Sequence, residues 1–258
     1  MRNTMTFKLK AVAAALTLGL AATSASAVPV DLGLSLVIDV SGSVSTAEYN
    51  LQMDGYANAF RSSAVQQNIL GGNVGAIGVN VVFFASSFFT TSLDTFAILD
   101  SVTAINNFAT LLDNFARPGS GGTSISTGTN RAIGLITSTS VGIETSNWVI
   151  DVSGDGIGGS AADRAAAATA ASNGITINGL AIEASSTSTT ITDYYLANVI
   201  TADGFVETAA GFDDFQRAVE RKIQVETQTG GTVPVPGTLA LLGLGLVGLR
   251  AGRMRRTA

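Results

Sequence analysis

The sequence predicts a wound α/β domain, a mostly parallel sheet flanked by helices. Two observations carry that prediction. Apolar, β-branched runs alternate with long segments of helical spacing, the pattern of βα units. In addition, the same six residues, VIDVSG, stand at Val37–Gly42 and at Val149–Gly154, each time as an apolar run that ends in Asp, Ser and Gly. Such a run describes a buried strand that delivers oxygen-bearing side chains to the carboxyl edge of the sheet, where ligands of wound α/β proteins bind. No repeat of solenoid length accompanies the hexapeptide, so the twin is local convergence rather than an array.

The elements follow in order. Residues 31–39 are nearly all apolar and read as a strand buried on both faces. Thr46 to Leu70 has helical spacing, with Leu51, Tyr56, Ala59, Phe60 and Ile69 on one face, Ser45 or Thr46 as N-cap, and Gly71-Gly72 as terminator. AIGVNVVFFA at 76–85 is a second strand, and 88–93 a third that returns beside it. Residues 94–115 repeat apolar side chains at three and four (Phe96, Leu99, Val102, Ile105, Phe108, Leu111, Leu112) and read as helix. RPGSGG at 117–122 is a loop, 124–138 a helix and 147–152 the fourth strand. Then come helix 161–172, strand 175–182, helix 192–200, a short strand at 204–206 and a last helix at 212–226.

The ends of the chain carry addresses. Arg2, Lys8 and Lys10 precede an apolar run from Ala11 to Ala22, and Ala25-Ser26-Ala27 supplies a small-residue cleavage pattern. Residues 1–27 are therefore expected to be a Sec signal peptide, cut before Val28. At the other end VPVPG opens at Val233, an apolar stretch runs from Thr238 to Leu249, and Arg250, Arg253, Arg255 and Arg256 close the chain. The stretch is shorter than the ~20 apolar residues of a full bilayer span, and its glycines make it a poor water-soluble helix. Motif, apolar run and basic end resemble the PEP-CTERM sorting tail of Gram-negative bacteria, in a VPxPGTLALLGLGL variant. The resemblance implies handling by an exosortase-type membrane enzyme. It also implies export to the cell surface, extracellular matrix or periplasm, with membrane contact only through this tail and transient anchoring in the inner membrane. The expected organisation is thus signal peptide 1–27, domain 28–228, linker and motif 229–236, and sorting segment 237–258.

Between the addresses the chain holds seven basic and nineteen acidic side chains, a net charge near −12. That balance disfavours nucleic acid as a partner and raises the local concentration of divalent cations. The chain has no Cys and no His. Disulfides, thiolate chemistry, the usual zinc ligand and every Ser-His-Asp triad are thereby excluded.

The first hexapeptide leads into Asp39-Val40-Ser41-Gly42-Ser43. Alternate residues of extended chain share a side, so Asp39, Ser41 and Ser43 can face one point where strand gives way to loop. A carboxylate with two hydroxyls suits Mg²⁺, or Mn²⁺ or Ca²⁺ in its place; a strand end whose Ser and Asp only cap the next helix reads equally well from these five residues. Two further features favour the cation. GGTS at 121–124 places Thr123 at a loop-to-helix junction, and Gly154-Asp155-Gly156 sets a carboxylate in a tight turn. In this order DVSGS, GGTS and SGDG resemble the metal-ion-dependent adhesion site of von Willebrand factor type A (VWA) domains, which have a Rossmann-like, doubly wound sheet. The family pattern maps onto Asp39, Ser41, Ser43, Thr123 and Asp155, and implies a divalent cation whose coordination is completed by an acidic group of a partner. DGYANAF at 54–60, VIDVSGDG, GITINGLAI at 174–182, DYYLANVI at 193–200 and DFQRAVERKI at 214–223 also resemble a VWA-like bacterial family, the domain of unknown function numbered 1194, over about 31–226.

Three features remain open at this stage. Asp151 mimics Asp39 but falls inside the fourth strand; as a buried carboxylate it must be paired or hydrogen-bonded. It reads as a support for the site, orienting Ser41 or a metal-bound water, ahead of a direct ligand. FFASSFF at 83–89 reads as core and strand-edge packing, with an apolar rim beside the metal as the alternative. Arg117, Arg131 and Arg164 read as surface or ion-pair residues. Three functions compete. The first is a secreted, non-catalytic module that binds a carboxylate of a protein or matrix ligand through a divalent cation. The second is a structural protein of an exopolysaccharide matrix whose metal site is vestigial. The third, an enzyme of metal-assisted phosphoryl transfer, lacks an evident acid/base partner for Asp39.

Overall fold

The structure, a computed structural model, describes residues 27–228. The expected signal peptide, apart from Ala27, and the sorting tail lie outside the described residues.

The chain opens with β1 (Val28–Pro29) and β2 (Leu32–Asp39), followed by α1 (Thr46–Arg61), α2 (Ser63–Leu70) and β3 (Ile77–Phe84). After the short returning strand β4 (Phe88–Phe89) come β5 (Ala97–Leu99), α3 (Val102–Asp113) and α4 (Ile125–Ile136). Next stand β6 (Ile143–Glu144), β7 (Trp148–Gly154), α5 (Ser160–Ser172) and β8 (Ile175–Ile182). The last three elements are α6 (Thr190–Asn198), β9 (Val206–Ala209) and α7 (Phe215–Glu226). The main sheet has the order β4-β3-β2-β7-β8-β9, with β5 also beside β3; β1 and β6 form a separate parallel pair. From β3 through β9 all neighbours are parallel, while β4 and β5 are antiparallel additions to β3.

Strands β2 and β3 bury every residue, which is why they are mostly apolar rather than alternating, with Ser35, Asn80 and Asp39 as the buried polar exceptions. Their side chains feed two cores. On one face Leu34, Leu36, Ile38, Val79 and Val81 meet Tyr56 and Phe60 of α1, Phe108 of α3 and Phe215 and Val219 of α7. On the other, Val37, Val82, Ile150 and Val152 meet α4, α5 and α6 through Ile133, Ala170 and Tyr195. The chain leaves β2 for β3 on one side and then crosses back to β7 on the other. Strands β2 and β7 therefore flank the topological switch point, where the carboxyl ends of a wound sheet open a crevice.

Several boundaries differ from the sequence reading. The single helix expected over 46–70 is two, because Ser62 takes an extended conformation between them (φ −58°, ψ 132°). Its N-cap is Ser45, in a capping box with Glu48. Leu51, assigned to the buried face, is exposed, as are Val102 and Leu111. The helix expected from residue 94 starts only at Val102, since Ala97–Leu99 pairs with Ile77–Val79 as a strand. The edge strand expected at 204–206 lies at Val206–Ala209. No helix among the described residues is long and apolar enough to cross a membrane.

Candidate functional site

Three loops meet at the switch point and are stitched by main-chain hydrogen bonds. Val40 N–H donates to Phe84 O (2.8 Å), Gly42 N–H to Gly121 O (2.7 Å) and Ser124 N–H to Ala85 O (2.9 Å). Ser86 Oγ accepts from Gly122 N–H at 2.6 Å. Arg117 reaches in from the Gly-rich loop and donates to the carbonyls of Val40 (2.7 Å) and Ser41 (2.8 Å). Gln52 of α1 donates to the carbonyl of Asp39 from below (3.3 Å). The backbone that carries Asp39, Ser41 and Ser43 is thus held from both flanks.

On that frame the predicted side chains converge. Asp39 is wholly buried, and its Oδ1 accepts from Ser41 N–H at 2.7 Å. Ser41 Oγ and Ser43 Oγ are hydrogen-bonded at 3.1 Å, and Ser43 Oγ donates to Asp155 Oδ1 at 2.8 Å across the gap between β2 and β7. The link is between residues 112 apart in sequence, so it is made by the sheet and not by local chain. Thr123 stands over the Asp155 turn: a Cβ at Gly156 would lie 3.2 Å from Thr123 Oγ1. Four of the five groups form one hydrogen-bonded chain, and the fifth lies against the turn that holds its last member.

The electrostatics are those of an uncompensated acidic site. Burial pushes the Asp39 carboxyl up to about 6; the Asp155 charge adds to this, while hydrogen bonds from Ser41 and the Arg117 charge hold it back. Asp155 is also raised, chiefly by burial, with Ser43 opposing and Glu48 adding. Neither carboxylate is in an ion pair among the described residues. The second Asp39 oxygen, Oδ2, is buried and accepts no hydrogen bond. An oxygen-only set of two carboxylates and three hydroxyls, with one buried carboxylate oxygen unsatisfied, fits a hard divalent cation. Groups of three or more His, Cys, Asp and Glu are absent among the described residues, so any cation here would rely on the hydroxyls.

Asp151 corrects the sequence reading. It supports neither Ser41 nor a metal ligand; its partner is Lys222 of α7, with Nζ 2.6 Å from Oδ1. Lys222 also pairs with Glu226 (2.5 Å), which accepts from Asn178 Nδ2 (2.8 Å), and all four side chains are buried. Arg131 is an ion-pair residue as expected, bound to Asp94 at 2.5 Å, and Arg164 is hydrogen-bonded to Asn198. Arg117 is half-buried and in no ion pair among the described residues: it braces the Asp39 loop, a role that no local pattern announces. Of FFASSFF, Phe83 and Phe84 are core, Phe89 is half-buried, and Phe88 is 40% exposed beneath the Arg131 guanidinium, 5.1 Å from its ring. Phe88 lines a cleft of about 490 Å³ with Ser87, Thr127, Asn130, Arg131 and Gly134. Sequence reasoning also passed over Tyr195, fully buried on α6 with its hydroxyl unpartnered.

Comparison with known proteins agrees with this geometry at the level of fold. Proximal thread matrix protein 1 from the mussel byssus superposes with a TM-score of 0.51 at 15% identity, over 78% of this chain and 47% of that one. Another structure of that protein, described as having a zinc-occupied MIDAS motif, gives the same score and identity over 78% and 46%. The pilus adhesin SpaC from Lactobacillus rhamnosus GG superposes at 0.55 and 15% identity, over 78% and 31%. The chain spans about half the length of the mussel protein and about a third of the adhesin. At these identities the likeness shows a VWA-like fold and nothing finer. No curated protein sequence matches the chain. A PEP-CTERM protein-sorting motif matches residues 232–256. The profile of the family described as "Protein of unknown function (DUF1194)" matches residues 29–230, and the chain belongs to that family.

Proposed function

We propose that the protein is an exported module, held at the cell surface or in the extracellular matrix, that grips an acidic group of a partner through a divalent cation. One observation carries the reading: Asp39 is buried at the switch point with an unsatisfied oxygen and is chained through Ser41 and Ser43 to Asp155, without an ion-paired cation. Asp39, Ser41, Ser43, Thr123 and Asp155 would hold the cation, with Mg²⁺ as first choice and Mn²⁺ or Ca²⁺ as substitutes. A bound cation supplies a Lewis-acidic point that accepts a carboxylate of a protein or matrix ligand. The chain's own residues do the positioning: Arg117 and Gln52 fix the loop carbonyls, and Ser43 ties the two strand ends together. The module is non-catalytic in this reading: the chain has no histidine to act as general base, and the paired Ser43 hydroxyl and Asp155 carboxylate belong to the set that would hold the cation.

The matched sorting motif supports export by the Sec route and handling by an exosortase-type enzyme, with membrane contact confined to the tail. It supports domain limits of 28–228 followed by linker and sorting segment. The same motif favours a second reading, a structural matrix protein whose site is vestigial.

Calorimetric titration of the purified protein with Mn²⁺ separates the two. Binding that Asp39→Ala abolishes supports the first reading. Absence of binding, or binding unchanged by Asp39→Ala, overturns it. Surface function that survives Ser41→Ala and Thr123→Ala but is lost on removal of residues 234–258 establishes the second.

A further inference from the structure

Two consecutive tyrosines on α6 do different work. Tyr194 donates to Asp163 Oδ2 at 2.6 Å, and Asp163 Oδ1 accepts from Ser126 N–H at 2.9 Å, which fastens α6 to α5 and to the start of α4. Tyr195 points the other way, into the sheet, where β7 and β8 are cleared for it. A Cβ at Gly179 would lie 2.6 Å from Tyr195 Cδ1, so only glycine there leaves room for the ring. A Cβ at Gly154 would lie 2.9 Å from the Tyr195 hydroxyl and 2.8 Å from Asp39 Oδ2. The phenolic oxygen and the free carboxylate oxygen therefore both approach one point over Gly154, each buried and each without a hydrogen-bond partner. Packing alone would be served by phenylalanine. A buried hydroxyl is tolerated where it has an acceptor to satisfy.

We propose that Tyr195 is a positioning residue of the cation site: its hydroxyl, unpaired in the metal-free fold, donates to Asp39 Oδ2 once a cation is bound and so fixes the carboxylate that holds it. The inference rests on the cation reading above and adds to it a residue outside the five that the sequence pattern names. Partners of this kind, which orient a ligand without touching the metal, typically change metal affinity 10–100-fold. Gly154 and Gly179 belong to the same device, since either side chain would displace the ring or its hydroxyl.

Mn²⁺ titration of the wild type and Tyr195→Phe, with the melting temperature of each metal-free protein, tests it. Tyr195→Phe should bind Mn²⁺ about tenfold or more weakly, while its metal-free melting temperature stays level or rises, because it loses a buried unpaired hydroxyl. Addition of Mn²⁺ should also produce a tyrosine ultraviolet difference signal in the wild type that Tyr195→Phe lacks. Equal affinity of the two proteins overturns the proposal and leaves the cation reading standing. A metal-free melting temperature that falls along with affinity overturns it as well, by showing a structural role. No Mn²⁺ binding by the wild type overturns the cation reading itself, and this inference with it.

Discussion

Asp39 and Asp151 hold the same place in the same hexapeptide and are both wholly buried, yet their surroundings are opposite. Asp39 is the last residue of β2, whereas Asp151 lies mid-strand in β7, level with Leu36 of β2 and Asn178 of β8. At ~3.3 Å per residue, that offset sets Asp151 about 10 Å below the edge at which Asp39 sits. The faces differ too. Asp39 looks toward Tyr195 of α6, and Asp151 toward Lys222 of α7. One aspartate thus keeps an unsatisfied oxygen at a strand end whose hydroxyls lead out through buried Ser41 to exposed Ser43, and the other is neutralised by a buried ammonium. Identical local sequence yields a binding group or a structural one according to how far the strand continues past it and what the facing helix offers.

The largest test of that contrast removes the ammonium. Lys222→Met strands the carboxylates of Asp151 and Glu226 in the core and should destabilise the fold by about 3–5 kcal/mol, read from urea unfolding. Asp39→Ala, which removes a buried carboxylate with no ion-paired partner, should change metal-free stability by less than about 1 kcal/mol. Equal losses from both would erase the distinction.

A second test uses pH. Burial pushes Glu226 up to about 7, Lys222 pulling it down and Asp151 adding to the rise. Its folded value lies above its unfolded one, so its contribution to stability is complete below the ordinary carboxylate range and is lost as pH rises through about 7. Stability measured from about pH 5 to about pH 8 should therefore fall with a slope of up to about 1.4 kcal/mol per unit from this group. Glu226→Gln should flatten the slope; an unchanged profile would show that the group does not titrate in the fold. Asp39 and Asp151 are raised as well and contribute in the same sense, so the comparison is between variant and wild type.

The smallest effect concerns the frame of the Asp39 side. Arg117→Ala deletes two charge-assisted hydrogen bonds to the loop carbonyls and should cost about 1.5 kcal/mol. Faster hydrogen exchange at the Gly42 amide should accompany it, since that amide is bonded to Gly121 on the Arg117 loop. Retained protection at Gly42 would show that the main-chain stitches hold the loop without Arg117.

The parallel strands were legible because burial on both faces writes itself as a largely apolar run; residues 175–182 form β8 at the limits read from the sequence. The site was legible where it is local, in the spacing of Asp39, Ser41 and Ser43 and in the glycines around Asp155. Strand β5 was hidden because Phe96, Leu99 and Val102 also fit helical spacing, and only its pairing with β3 decides the matter. Strands β1 and β6 have two residues each and exist through a partner more than a hundred residues away. Arg117, Lys222 and Tyr195 share that property. Each acts across the tertiary fold on a backbone carbonyl or a carboxylate, and nothing in its own neighbourhood of sequence marks it.

Lys222 also bears on how this domain would carry force. The sorting motif at 232–256 follows directly on α7, which ends at Glu226. In a chain retained by its C-terminus, tension enters the fold through that helix. Lifting it would draw the paired Lys222 and Glu226 out of the core and abandon the Asp151 carboxylate there, so the last helix behaves as a bolt, set into the same strand whose far end presents Asp155.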